Sequence, residues 1–353
     1  MLKDLIDQLC KLRNLTSAQV SLAVAELVSE TVSTELKADF LSALTRKGET
    51  PEEIKAFVLD LRDRAVQPRV DDVLRRGVVL DVVGTGGDRL STFNISTTVA
   101  IIAASAGICV AKHGNRASTS LVGSADVIEG LGIPVDRSPE DTVASMQATG
   151  FGFFFAPRYH PAFRHIVPAR KLCAARGEPT IFNFLGPLLN PVKPSAMLLG
   201  VARPDLCQPL AQVLQSIGVH RAMVVCGTVP VDGGTRHLDE ISPLGPTHVA
   251  EFYQERAMSY SALDPSLFPM QPASLSDLRG GDREVNVGII HRVLQGEERG
   301  PKRDAVLINA AAALFVAQKA CNLAEGWDLA ARLIDDGIAW RKLQETTTGT
   351  VGS

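Results

Sequence analysis

Four short stretches hold residues whose types and spacing suit a phosphate-rich, metal-bound ligand. The first is Asp81-Val82-Val83-Gly84-Thr85-Gly86-Gly87-Asp88. A glycine-rich turn at the end of a β-branched run can aim several backbone N–H groups at one point. That makes an anion nest, and a following helix adds the positive end of its dipole. A tight turn needs such glycines as well, so the stretch alone favours the plain turn. It is not a P-loop, since no Gly-Lys-Ser/Thr follows. Arg89 stands where the third glycine of a dinucleotide fingerprint would be. The second stretch, Thr92-Phe93-Asn94-Ile95-Ser96-Thr97, precedes a helical pattern. Capping explains one such side chain, but this cluster of hydroxyls and an amide exceeds what one cap needs.

The third is Lys112-His113-Gly114-Asn115-Arg116-Ala117-Ser118-Thr119-Ser120. Two cations bracket a glycine and hydroxyls follow, which suits a highly charged, oxygen-rich ligand. A solvated loop is the plainer account of one such stretch; two of them on neighbouring strand ends weigh against it. The fourth is Leu238-Asp239-Glu240-Ile241-Ser242. Paired carboxylates in a turn, together with substrate phosphates, are the usual way to hold magnesium. A lone Asp-Glu pair is more often surface, but Gly245-Pro246 nearby supports a loop.

The elements that must position these residues follow from periodicity. The first ~65 residues read as helices only. Thr16 and Gln19 make a capping box before Val20, Val24, Leu27 and Val28; Leu36, Phe40, Leu41 and Leu44 repeat the stripe. Thr50-Pro51-Glu52-Glu53 is a full start signal, followed by Ile54, Phe57, Val58 and Leu61. Residues 66–76 read as a linker. Strand and helix patterns then alternate: strands at 77–83, 108–111 and 151–156, helices at 94–107 and 124–131 and from Ser138-Pro139. Later come strands at 197–202 and 222–226, a helix at 206–217, a surface loop at 228–236, and helices at 305–319 and 327–343. Such alternation implies a parallel sheet with right-handed crossovers, whose ligands bind at the carboxyl ends of strands.

The chain has 353 residues, 45% apolar and 21% charged, with a net charge of -3. That is the balance of an ordinary globular protein and lacks the basic stripe of a nucleic-acid binder. Arg75-Arg76 and Lys302-Arg303 are short clusters that decorate solvated faces. None of the six cysteines has a partner at Cys-x-x-Cys spacing. Buried thiols in a reducing compartment are expected, with neither zinc nor disulfides. No signal peptide or membrane span is legible, so the expected location is cytoplasmic.

Taken in order, GTGGD, NIST, KHGNR, GSAD, an arginine on a helix and LDEIS resemble the anthranilate phosphoribosyltransferase family. The resemblance continues through FFFAPRYHPAFRHIVPAR, TIFNFLGPLLNP, ISPLGPT and INAAAAL, over roughly residues 5–343. It implies an α/β fold of the nucleoside phosphorylase/phosphoribosyltransferase-like kind. A small all-helical domain would sit on a larger α/β domain whose mostly parallel central sheet is flanked by helices, with the site in the cleft between. The helical domain would take residues 1–70, joined by a helical segment near 165–180. The diphosphate-binding domain would take 77–164 and 181–345, leaving 346–353 as a disordered tail. The implied reaction joins the phosphoribosyl group of 5-phosphoribosyl 1-diphosphate to the amine of anthranilate, in tryptophan biosynthesis. A homodimer with a pair of magnesium ions per monomer is implied too, with no nucleic-acid or membrane partner.

The same resemblance assigns residues. Gly84, Gly87, Asp88, Thr92, Asn94, Ile95, Ser96, Thr97 and Lys112 match contacts to the sugar diphosphate. So do His113, Gly114, Asn115, Arg116, Ala117, Ser118, Thr119, Ser120 and Ser124. Ser96, Asp239 and Glu240 match magnesium ligands, and Gly84, Asn115 and Arg170 match the anthranilate site. A guanidinium can grip a carboxylate in a forked pair, although a helix-end cation is the plain account of Arg170. His160 and His165 match no catalytic base and are expected to be packed or hydrogen-bonded near the domain junction. Arg89, Leu121-Val122, His237 and the longer loop before His237 depart from the family pattern. Two other readings share features with this one. A pyrimidine nucleoside phosphorylase would typically carry Lys-His-Ser before the glycines, where Asp81-Val82-Val83 stands here. A non-catalytic nucleic-acid-binding relative would lack the carboxylates and be basic.

Overall fold

Leu2, Leu5 and Leu9 recur at helical spacing and are buried, and they line a helix over Leu2–Cys10. The Ser17–Val28 and Pro51–Asp63 helices both begin in the expected capping boxes, Thr16/Gln19 and Thr50/Glu53. Between them runs the Thr34–Lys47 helix. In the computed structural model, which describes residues 1–71, 76–117 and 121–348, these four helices pack with a fifth, Val167–Ala175.

Eight strands form one sheet: β1 Val79–Gly84, β2 Cys109–Gly114, β3 Phe151–Phe155, β4 Ala196–Gly200, β5 Arg221–Val231, β6 Gly234–Leu238, β7 Thr247–Tyr253 and β8 Ser259–Leu263. The order is β3-β2-β1-β4-β5-β7-β8, with β6 also paired to β5. Strands β3, β2, β1, β4 and β5 are parallel neighbours, whereas β6, β7 and β8 join antiparallel. The sheet is mostly parallel, as expected, with an antiparallel edge that the sequence reading did not foresee.

Both faces are covered, so the strands split their residues between two cores. Leu198, Met223 and Val225 face the Ile95–Ser105, Pro301–Val316, Leu323–Asp335 and Ile338–Thr348 helices. Met197, Leu199, Ala222 and Val224 face the Cys207–Ser216 helix and the N-terminal bundle. That second core runs without a break from Leu2 to Phe252, so helical bundle and sheet share one apolar interior.

Several expectations change. Strand β2 continues past residue 111 to Gly114, which puts Lys112 and His113 inside the sheet rather than in a loop. The stretch 228–236 is a hairpin, β5 turning through Asp232-Gly233 into β6, because Val229 and Leu238 bury apolar side chains that a free loop would expose. The helix expected at 327–343 is two helices, parted at Gly337 with φ 68°. The last helix runs through Thr348, three residues into the segment expected to be a disordered tail. Ser118, Thr119, Ser120 and residues 349–353 lie outside the described residues.

Candidate active site

The carboxyl ends of β1 and β4 and the middle of β5 meet the Asp239–Ser242 segment, which runs across them. Gly84 and Gly200 are register partners at the ends of β1 and β4, and Gly227 lies on β5. A Cβ on Gly84 would overlap the Asp239 carboxylate, and one on Gly200 would overlap the Asp239 carbonyl. On Gly227 it would meet the Glu240 carbonyl at 2.6 Å. Three glycines therefore let the acidic segment lie against the sheet edge; Gly200 and Gly227 were not singled out from sequence. The segment is pinned from the other core by Asn309, which accepts from the Ile241 N–H and donates to the Ile241 carbonyl, both at 2.9 Å.

The acidic segment reaches both phosphate-friendly loops. The Gly86 N–H donates to Asp239 Oδ2 at 2.6 Å, and the Ser96 N–H donates to Glu240 Oε1 at 3.1 Å. Lys112 is buried; its Nζ lies 2.8 Å from the Val82 carbonyl and 3.4 Å from Ser96 Oγ. Gly86 and Gly87 have φ of 71° and 87°, the left-handed geometry that turns successive N–H groups to one side. Arg89 and Ser91 adopt φ of 57° in the same loop. Position 89, where glycine is frequent in the family, thus keeps a glycine-like conformation with an arginine in it.

The electrostatics suit a bound cation. Burial, then the neighbouring Asp88, raises Asp239 to about 7. Burial, then Asp239, pushes Glu240 well above the carboxylate range. Burial likewise raises Asp88. Asp88 Oδ2 and Thr97 Oγ1 are buried without a hydrogen-bond partner among the described residues. Carboxylates forced together with an orphaned oxygen are the donor set a hard divalent cation prefers. Among the described residues no group of three or more His, Cys, Asp or Glu could hold an ion by itself. Such an ion would complete its shell with substrate oxygens and water, as magnesium does at phosphate sites.

Beneath this surface lies a buried polar layer. Asp81 accepts from the Asn190 amide at 2.8 Å and from the His113 N–H at 3.4 Å. Burial raises Asp81 to about 6 against the opposing pull of Lys112. Burial lowers Lys112, while Asp81 and Glu240 favour its charge.

The remaining expected residues divide. Thr92 forms an isolated bridge with Arg279. Asn94 precedes its helix without a side-chain cap bond, and its Oδ1 accepts from Asn286 at 3.1 Å. Ile95 is buried in the core, so only its backbone faces the loops. Ser124 Oγ lies 3.4 Å from the Asn115 carbonyl and closes against Gly114. The Ala117 N–H donates to Asp126 at 3.1 Å. The Arg116 guanidinium is engaged by Asp126 at 2.9 Å and Glu129 at 3.1 Å, so its charge is already neutralised by protein. His113, next to Lys112 on β2, faces the opposite side of the sheet and is buried. Its ring packs on His160 at 5.6 Å, His160 on Phe163 at 5.0 Å, and Phe163 on Phe182 at 5.7 Å. Arg170 lies over that last ring at 5.8 Å and has no carboxylate partner among the described residues. His160, buried, also meets the Leu189 carbonyl at 2.9 Å, whereas His165 is only partly buried and lies 3.2 Å from the exposed Glu30.

Two family models match the chain: the helical bundle domain of a glycosyl transferase family over residues 3–65, and its a/b domain over 76–340. An anthranilate phosphoribosyltransferase from Symbiobacterium thermophilum is 43% identical, covering 97% of this chain and 96% of the relative. The chain belongs to the anthranilate phosphoribosyltransferase family. Among solved anthranilate phosphoribosyltransferases, that of Thermus thermophilus aligns with a TM-score of 0.86 at 37% identity, covering 97% of this chain and 98% of its own. The enzyme from Saccharomyces cerevisiae, solved in complex with PRPP and Mg, aligns with a TM-score of 0.85 at 28% identity, covering 99% and 98%. The same yeast enzyme has also been solved with 4-fluoroanthranilate. Neither alternative reading of the sequence is favoured by these anthranilate phosphoribosyltransferase likenesses.

Proposed function

We propose that this protein transfers the phosphoribosyl group of 5-phosphoribosyl 1-diphosphate to the amine of anthranilate, releasing diphosphate, as a magnesium-dependent homodimer in the cytoplasm. The observation that carries the reading is the meeting of Gly86 and Ser96 on Asp239 and Glu240, with the Lys112 ammonium beside Ser96 Oγ. One compact group of loops thereby offers amides, a cation and carboxylates to a single metal-bound diphosphate. Asp239, Glu240 and Ser96 are the proposed metal ligands, with Asp88 beside them. A pair of ions per monomer suits three carboxylates and a polyanionic ligand. Bound magnesium would offset the negative charge that builds on the departing diphosphate.

The chain's own residues do the rest by position and charge. The amides of the nest other than that of Gly86, which Asp239 holds, and the Lys112 ammonium face the diphosphate and favour its departure. Thr97 Oγ1, buried and unpartnered, is aimed to bond a phosphate oxygen. Arg170, free of protein carboxylates among the described residues, takes the anthranilate carboxylate in a forked pair. Asn115 and the bare backbone of Gly84 border the same acceptor. An arylamine is nucleophilic when neutral, so no strong base is required; holding it in line with the anomeric carbon is the main task. His113 and His160 stay packed and take no proton from the amine.

The test is to mix protein, magnesium, phosphoribosyl diphosphate and anthranilate and follow anthranilate fluorescence. Loss of signal that requires all components is expected. Full fluorescence after prolonged incubation, with phosphorolysis of thymidine in a parallel sample, would transfer the assignment to the phosphorylase reading.

A further inference from the structure

The loop that carries the amide nest is held from outside by a residue that no site assignment above includes. Arg236 stands on β6, in the hairpin where this chain is longer than the family pattern. One of its terminal nitrogens donates to the Asp88 carbonyl at 2.9 Å and to the Arg89 carbonyl at 2.8 Å. Its charge also steadies the Asp88 carboxylate, though burial remains the larger influence there. The inner side of the same loop is tied to Asp239 through the Gly86 N–H, and its start to β4 through Thr85 N–H to the Gly200 carbonyl at 2.9 Å.

The geometry matters because a nest has two sides. Left-handed residues turn N–H groups inward and carbonyls outward. Here Arg89 and Ser91 hold that geometry without being glycine, at φ 57° each, so the loop needs outside support to keep it. A cation on the outward carbonyls of Asp88 and Arg89 supplies that support, while the Leu90 N–H ties the same stretch to Asp88 Oδ1 at 3.1 Å. We propose that Arg236 is a positioning residue for diphosphate: it braces the carbonyl side of the cradle and thereby presets the amide side. The inference rests on the function proposed above. It adds a contribution from the hairpin, which places Arg236 by pairing Val229 with Arg236 across β5 and β6.

Arg236 is exposed, so its replacement leaves the core intact. The test pairs Arg236→Gln with Arg236→Lys and reads two quantities: calorimetric affinity for inorganic diphosphate with magnesium, and the separate Michaelis constants for sugar diphosphate and anthranilate. R236Q is expected to weaken diphosphate binding and raise the sugar diphosphate constant by roughly three- to tenfold, the worth of one or two exposed hydrogen bonds. The anthranilate constant, kcat and melting temperature should stay at wild-type values. R236K, with a smaller donor head, should fall between. Equal diphosphate affinity in wild type and R236Q overturns the inference, as does an equal rise in both Michaelis constants. Wild-type protein that binds no diphosphate at all would overturn the underlying function as well, which separates the two failures.

Discussion

Asp239 sits where a carboxylate is unfavourable until a cation arrives, and this gives a prediction in two parts. Its pKa rises from 3.8 to about 7 on folding, through burial and then Asp88. A carboxyl with a raised folded pKa favours the fold only when protonated, so metal-free protein loses stability as pH climbs from 3.8 to about 7. Asp239→Asn removes that loss and keeps an oxygen for the Gly86 N–H. The variant should melt higher than wild type above pH 7 in chelator, with the difference shrinking toward acid. Turnover in magnesium should nevertheless fall by orders of magnitude. Paired melting curves and a magnesium titration check both parts; unchanged activity refutes the metal role. Arg170 makes the complementary case for the acceptor. Arg170→Lys keeps the charge but loses the fork, so the Michaelis constant for anthranilate should rise roughly tenfold while that for the sugar donor holds. At this scale the sequence was legible where a residue type names its chemistry, as with Asp239, Glu240 and Lys112. It was not legible for Arg116, whose partners Asp126 and Glu129 become neighbours only once the Ser124–Gly130 helix forms.

The Pro301–Val316 helix is the element that fixes the acidic segment. It is buried along most of its length, and Asn309 is the polar residue there that grips both sides of the Ile241 peptide and the Ala305 carbonyl. Asn309→Ala would leave a buried N–H and carbonyl unpaired, at about 2 to 4 kcal/mol. A denaturant midpoint should register that loss, and calorimetry with magnesium and diphosphate should show weaker binding because Asp239 and Glu240 lose their anchor. Gly200→Ala attacks the same segment from below. A methyl there overlaps the Asp239 carbonyl, so metal binding should collapse even in protein that still folds. Sequence pattern found helices and strands with clean periodicity and caps, such as Pro51–Asp63 and Ala196–Gly200. It missed β8 because this edge strand, Ser259–Leu263, is mostly exposed and carries little apolar alternation, and it missed its inner neighbour β7 as well. It read the Val231–Gly234 turn as a loop because glycine marks hairpin turns and free loops alike.

At the scale of the whole molecule, helical bundle and sheet share one core, and the contact between them includes titratable groups. His113 on β2 and His160 meet edge to face near the charge of Arg62, which reaches out of the Pro51–Asp63 helix to the Leu188 carbonyl at 2.7 Å. Burial, then His160, lowers His113 from 6.5 to about 3, and burial lowers His160 too. Here the sign is opposite to that of Asp239. A histidine whose folded pKa is depressed leaves the unfolded chain holding the extra proton, so stability is complete above 6.5 and drains away as pH falls toward about 3. Asp81, raised by burial from 3.8 to about 6, works against this over its own range by favouring the fold in acid. Asp239, raised to about 7, offsets the histidine loss in metal-free protein as Asp81 does, so the histidine share, which begins just below 6.5, is read as a difference between wild type and a His160 variant. Across that range the urea midpoints of wild type should fall relative to those of His160→Gln, whose amide still reaches the Leu189 carbonyl. Anthranilate affinity should fall with them, because the His160–Phe163–Phe182 rings lead to Arg170 and a charge among them loosens its seat. A difference between wild type and His160→Gln that stays level from pH 7 to pH 5 would mean that His160 is not held neutral, and the junction would then take no part in the acid response.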